Sequence, residues 1–266
     1  MKLPVVRGTI QRRILVNYRI DPNVVKAILP QPFRPKLVNG SAIGGICLIR
    51  LHGIRPRFFP FRWGLRSENV AHRIAVEWDV DGQTHEGVYI PRRDTSSRLN
   101  SIVGGRIFPG VHHHASFVVQ ETPSSFSVDV NSDDGKTRVS LLGTVTETFP
   151  SSSVFGSLKE ASDFFQRGSL GYSDAHIRGE FDGLELRCGD WKMETLHVEK
   201  IQSSFFDDRS RFPADSIQLD ATLLMRELEH EWHGREDLCC STPQRLSSLN
   251  AQNPRGGSVL NSTLEK

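Results

Sequence analysis

The run GGRIFPGVHHHASF, residues 104–117, sets three consecutive histidines between a glycine- and proline-punctuated turn and an alternating, strand-like segment. Side chains alternate faces along a strand, so His112 and His114 share one face and His113 takes the other. Imidazole titrates close to neutrality and is the commonest metal ligand. Two chemistries fit this pattern. One is proton transfer. The other is a metal held by His112 and His114, with a carboxylate completing the site. A surface strand with one polar face accounts for the same residues.

Further clusters carry charge. Arg19 stands beside Asp21 at the end of an apolar strand, where a guanidinium can hold a substrate carboxylate through its planar fork or pair with a protein acid. The loop RSEN, residues 66–69, brings Glu68 to the head of a strand as a general base or a charge partner. In RRDTSSRLN, residues 92–100, Asp94, Thr95 and Ser96 offer caps for a helix whose N-terminus, with Arg92, Arg93 and Arg98, suits an anion. The same residues also read as a plain capped helix with arginines salt-bridged to Asp94. HEWH, residues 230–233, reads as a helix end with histidines near its C-terminus.

The elements that must position these groups are mostly strands. Asp21-Pro22 opens a short helix, and Pro30, Pro32 and Pro35 end it. Residues 41–51 are apolar and glycine-rich, as in a strand buried on both faces. Residues 69–79 alternate, and Asp81-Gly82 marks a hairpin whose second strand covers residues 86–91. Residues 117–121, 125–131 and 136–148 form a meander with a turn at Asp134-Gly135. A short helix over residues 159–167 carries Phe164 and Phe165. Strands resume over 183–188 and 195–206, and residues 220–231 read as a terminal amphipathic helix. From Ser241 onward the chain is rich in Ser, Asn, Gln, Pro and Gly, so a domain over residues 1–240 is followed by a disordered polar tail over 241–266.

Composition narrows the function classes. The chain has 266 residues, 37% of them hydrophobic, and suits one β-rich domain. Its 33 basic and 31 acidic residues give a formal charge of +2, which makes no electrostatic case for nucleic acid or an acidic membrane. No apolar run is long enough to span a bilayer. Arg7, Gln11, Arg12 and Arg13 interrupt the N-terminal apolar stretch, unlike a secretory signal. Cys47, Cys188, Cys239 and Cys240 fit neither a zinc spacing nor a disulfide framework, so a cytoplasmic location with reduced thiols is expected.

The segment NYRIDPNVVKAILPQPFRPKL, residues 17–37, resembles the N-terminal signature of the acetoacetate decarboxylase-like superfamily: a Tyr-Arg-Thr-Asp-like entry, a short helix and a Leu-Pro-x-Pro-like exit. Residues 66–76 resemble the segment with that family's active-site glutamate, placing Glu68 in its position. Gly105-Arg106 resembles the Gly-Arg before the catalytic lysine motif. The sequence resembles an uncharacterised bacterial branch more closely than the decarboxylases, through the run from Asp21 past Arg55-Pro56 to Phe108 and the segment 161–171. The resemblance covers roughly residues 12–232. It implies a mainly β fold with short helices, a single antiparallel β-cone or barrel.

One departure governs what the resemblance implies for function. The family's lysine forms a Schiff base, and the aligned positions here, residues 109–113, contain none; aligning on Ala115 puts His112 near that place. Histidine cannot form the iminium that serves as electron sink. The resemblance therefore implies a pocket for a small anionic, oxo acid-like molecule, with Glu68 and His112 as acid/base groups, Arg19, Arg98 and Arg106 binding substrate, and no cofactor. Lys192 and Lys200 lie on later strands as alternative amines. Three readings follow: a lyase-like or isomerase-like enzyme without a Schiff base, a non-catalytic small-ligand-binding protein, and a metal protein built on His112 and His114. A homo-oligomer is compatible with each. The expected test is convergence of Arg19, Glu68 and His112 around one cavity, with Arg98 or Arg106 near its rim.

Overall fold

The structure is a computed structural model that describes residues 4–60, 64–99 and 110–239. Fourteen strands and two complete helices follow one another among the described residues: β1 (Val6–Ile20), α1 (Pro22–Ile28), β2 (Arg34–Pro35), β3 (Leu37–Val38), β4 (Ser41–Pro56), β5 (Leu65–Val80), β6 (Gln83–Thr95), β7 (His112–Glu121), β8 (Ser125–Ser132), β9 (Arg138–Thr146), α2 (Leu158–Arg167), β10 (Leu170–Asp174), β11 (Glu180–Cys188), β12 (Glu194–Ser203), β13 (Ile217–Gly234) and β14 (Leu238–Cys239). They form a 14-stranded sheet. Its pairings are antiparallel except where β6 meets β7 and β10, so the sheet is mixed.

Two extra pairings, β5 with β6 and β11 with β13, close the sheet on itself. One ring runs β6-β7-β8-β9-β12-β13-β1-β4-β5. A second runs β6-β10-β11-β13-β1-β4-β5. The strands β13, β1, β4, β5 and β6 belong to both rings and form a common wall.

That wall explains the burial pattern. Along β1 and β4, neighbouring residues enter different cores: Ile14, Val16, Ile46 and Leu48 belong to one, Leu15, Ile43, Cys47 and Ile49 to the other. The first core is completed by Val128, Val130, Leu141 and Leu196 of the larger ring. The second is completed by Leu186, Leu223, Met225 and the α2 residues Ala161, Phe164 and Phe165.

Local chemistry sets the helices and turns. Asp21 caps α1 by accepting from the Asn23 amide at 2.8 Å. Ser157 caps α2 by accepting from the Glu160 amide at 3.1 Å, and Glu160 reaches back to the Gly156 amide. Asp81 and Gly82 both have positive φ, which the tight hairpin between β5 and β6 demands.

One expectation from sequence is corrected. Residues 220–231 are not a helix but the centre of β13. This strand is buried on both faces within the common wall, so its apolar residues run on without the alternation of a half-exposed strand. HEWH accordingly lies on that strand. Residues 92–95 end β6; Thr95 Oγ1 then accepts from the Ser97 amide, residues 98–99 are helical, and the rest of the expected capped helix lies outside the described residues. The meander, the first hairpin and both expected short helices are present. The tail and Arg106 lie outside the described residues. Among the described residues, no helix is long and apolar enough to cross a membrane.

Candidate functional site

A cavity of about 150 Å³ opens inside the second ring. Strands β1, β4, β5, β6, β7, β10, β11 and β13 all line it, together with Phe165 of α2. Register defines its wall. Residues paired across a ladder project to the same face. Leu15, Cys47, Ala71, Arg93 and His112 pair in succession across β1, β4, β5, β6 and β7. The row on one side contains Arg13, Ile49 and Asn69; the row on the other contains Asn17, Gly45 and Arg73.

Three guanidiniums therefore meet one cavity. Arg73 is buried, at 4% exposure; one of its terminal nitrogens donates to Asn17 Oδ1, and its guanidinium lies 4.6 Å from the Phe165 ring centroid. Arg93 Nε donates to Ser173 Oγ at 2.8 Å. Arg13 stacks over Trp191 at 5.4 Å and approaches Met225 Sδ at 3.7 Å. Among the described residues none of the three is ion-paired, and the Nε atoms of Arg13 and Arg73 are buried without a partner. Asp94 also lines the cavity, but Arg92 and Thr137 occupy its carboxylate. Burial lowers the pKa of Arg73 and Arg93 to about 10, which leaves both charged at neutral pH.

His112 completes the row. Its Nδ1 lies 3.0 Å from the Gly110 carbonyl, which can only accept, so Nδ1 carries the proton and Nε2 the lone pair. Burial, reinforced by the nearby Arg93 charge, pushes its pKa down to about 4. The imidazole is neutral at neutral pH. Gly110 has φ +82°, and a Cβ there would meet Ser173 at 2.6 Å, so glycine is required to present this carbonyl.

From these rows the wall becomes more apolar along β4 and β5, through Leu51, Ile54 and Leu65, with Ser67 opposite Leu51. Val88, Ile90, Leu184, Leu186 and Trp232 continue that lining. Among the described residues no lysine lines the cavity. Lys192 and Lys200 are exposed.

The other expected site residues are placed elsewhere. Glu68 projects to the opposite face of the common wall, where Arg12, Arg50 and Glu68 pair in register. Arg12 meets Glu68 at 2.5 Å and Glu121 at 2.8 Å, and Arg50 pairs with both acids. Arg19 lies in a separate depression with Asp21, Ser41 and Gln218. Its guanidinium donates to Gln218 Oε1 and to the Ser152 carbonyl and stands 3.8 Å from Asp220. Arg19, Glu68 and His112 thus do not surround one cavity. His112 lines the cavity, and Arg19 and Glu68 are held by protein partners away from it. Arg98 is described but does not line the cavity. His114 shares the His112 face as expected, but its Nδ1 is 2.8 Å from Asp133. Among the described residues no group of three or more His, Cys, Asp or Glu side chains is arranged to hold a metal.

Residues 7–206 match the family DUF2071, uncharacterized conserved protein (COG2071). The chain belongs to DUF2071. No curated protein matches it. Solved structures share the fold of this DUF2071 chain. Acetoacetate decarboxylase from Legionella pneumophila superposes with a TM-score of 0.54 at 10% identity, over 88% of this chain and 87% of that one. An acetoacetate decarboxylase-like enzyme from Sphingomonas wittichii RW1 gives 0.54 at 14% identity, over 90% and 93%. The enduracididine biosynthesis enzyme MppR, complexed with pyruvate, gives 0.52 at 11% identity, over 91% of each chain.

Sequence reasoning missed Arg13, Arg73 and Cys47 as a group. The signal available was a charged residue inside apolar strand runs, as in Arg73 of HRIAVEW. A strand buried on both faces has no solvent side for such a charge, so it must meet a partner or a cavity.

Proposed function

We propose that this DUF2071 chain takes a small carboxylate of the oxo acid type into the cavity of the second ring. The observation that carries this reading is the set of three guanidiniums, Arg13, Arg73 and Arg93, around one cavity; among the described residues no carboxylate forms a salt bridge with any of them, and Asp182 acts on Arg93 only from a longer distance. A buried cation without a counter-ion is costly, and an anionic ligand removes that cost. The arginine rows receive the carboxylate, and the apolar rows beyond Leu51 and Ile54 accept an aliphatic substituent. The pyruvate bound by the similarly folded MppR agrees with this ligand class.

Chemistry at the site proceeds without a Schiff base. The neutral His112 presents an unprotonated Nε2 that accepts a proton or a hydrogen bond from the ligand. With a pKa near 4 it is a weak base. That observation favours a second reading, a binding protein that performs no turnover. Titration calorimetry with pyruvate, acetoacetate and longer 2-oxo acids tests the pocket. Micromolar to millimolar binding lost on Arg93→Met supports it; no binding of any member overturns it. Borohydride reduction in the presence of acetoacetate is expected to leave the intact mass unchanged, and a reduced adduct on any lysine would overturn the mechanism.

A further inference from the structure

Cys47 lies in the middle of the cavity-facing row. It pairs with Leu15 of β1 on one side and Ala71 of β5 on the other, and the row continues to Arg93 and His112. Its thiol is free, its exposure is 8%, and it lines the cavity. Arg73 and Arg93 both lie within electrostatic reach of its sulfur. Ala71, the residue between Cys47 and Arg93, is only partly buried although it sits in a central strand, so the space above its methyl is open. Between that open seat and the unpaired guanidiniums, an anion bound by Arg93 is delivered beside a sulfur nucleophile.

We propose that Cys47 is a reactive thiol of this pocket, one that attacks an electrophilic carbon next to the carboxylate of the bound ligand. The proposal rests on the carboxylate reading above. With a 2-oxo acid the sulfur adds to the carbonyl carbon. A C–S bond forms, the carbon–oxygen π bond opens, and the thiol proton ends on the new hydroxyl, giving a thiohemiketal with no further reactant. With a 2-halo acid the C–S bond forms as halide leaves, and the proton passes to solvent.

The test compares iodoacetate, a carboxylate, with iodoacetamide, its neutral counterpart, on the native full-length protein. Labelling is followed by peptide mass mapping at each cysteine. Cys239, which is exposed, and Cys188, which is half-buried away from the cavity, serve as internal references. At Cys47 iodoacetate is expected to outpace iodoacetamide by about tenfold or more, as a cationic cleft concentrates an anion. Pyruvate should slow carboxymethylation at Cys47 and leave Cys239 unaffected. Arg93→Met should abolish the preference for iodoacetate while Cys47 remains present. Equal rates for the two reagents at Cys47, no labelling there, or no protection by pyruvate would overturn the proposal. Calorimetry on the same preparation separates the two ideas. Pyruvate binding without selective labelling defeats the thiol alone, whereas loss of both defeats the carboxylate site as well.

Discussion

Cys47 and Arg93 are both register partners of Ala71, on opposite sides of β5. Adjacent strands stand about 4.8 Å apart, so a thiol and a guanidinium flank a seat roughly two strand spacings wide whose floor is one methyl group. Ala71→Phe fills that seat with a ring. The expected outcome is loss of carboxylate binding by calorimetry, with the far-ultraviolet circular dichroism of the β fold retained. Undiminished affinity in a folded Ala71→Phe protein would move the ligand away from this row.

Arg93→Met removes a charge that no acid of the described residues pairs. Its one hydrogen bond among the described residues is to Ser173 Oγ, so the unliganded protein should change in stability by no more than about 2 kcal/mol. Carboxylate affinity should fall by at least about tenfold, the scale of one charge-assisted bond. A structural arginine would give the reverse pattern, a large fall in melting temperature with affinity preserved.

Glu68→Gln separates the two faces of the common wall. Glu68 shares with Glu121 the pairing of Arg12, whose side chain is 3% exposed, and of Arg50. Weakening such an enclosed pair costs about 2 kcal/mol here, below the range for fully buried pairs because Glu68 retains some exposure. Pyruvate affinity should stay within about twofold. A collapse of binding or turnover with unchanged stability would restore Glu68 to the site chemistry.

Acid should destabilise this protein through its histidines. Burial holds the pKa of His72 down at about 3 and those of His112 and His230 at about 4. Unfolded imidazole titrates near 6.5, so between about pH 6.5 and pH 4 the unfolded chain binds more protons than the native one. Their stabilising contribution is full above about pH 6.5 and is lost as the pH falls through about 4 for His112 and His230 and about 3 for His72. Urea unfolding across this range should show stability rising with pH, and His112→Gln should flatten part of the slope. A slope unchanged in His112→Gln would show that the imidazole is already protonated or solvated in the native state.

Much of the fold was legible in the chain. The Asp21 cap, the Asp81-Gly82 turn, the α2 capping box and the alternation of the meander are local signals, each set by the residues themselves. The resemblance carried by residues 17–37 extended these to a mainly β, decarboxylase-like fold. The site was legible at His112, because a face on one strand can be read from alternation, and at Arg93, as one of a run of arginines suited to an anion. Its partners come from β1, β4, β5 and β6, and no spacing within one segment records cross-strand register.

Local residue chemistry was enough for most of the strands, the hairpin turns, the Asp21 cap and the absence of lysine from residues 109–113. Tertiary structure decided the rest. Closure of β5 onto β6 and of β11 onto β13 put β13 inside a wall buried on both sides, turning an apparent helix into a strand. The same closure sorted neighbouring residues onto opposite faces: Arg12 toward Glu68 and Glu121, Arg13 toward the cavity. A period of two makes each arginine's fate depend on register alone, and register is fixed by which strands pair, not by the residues on either side.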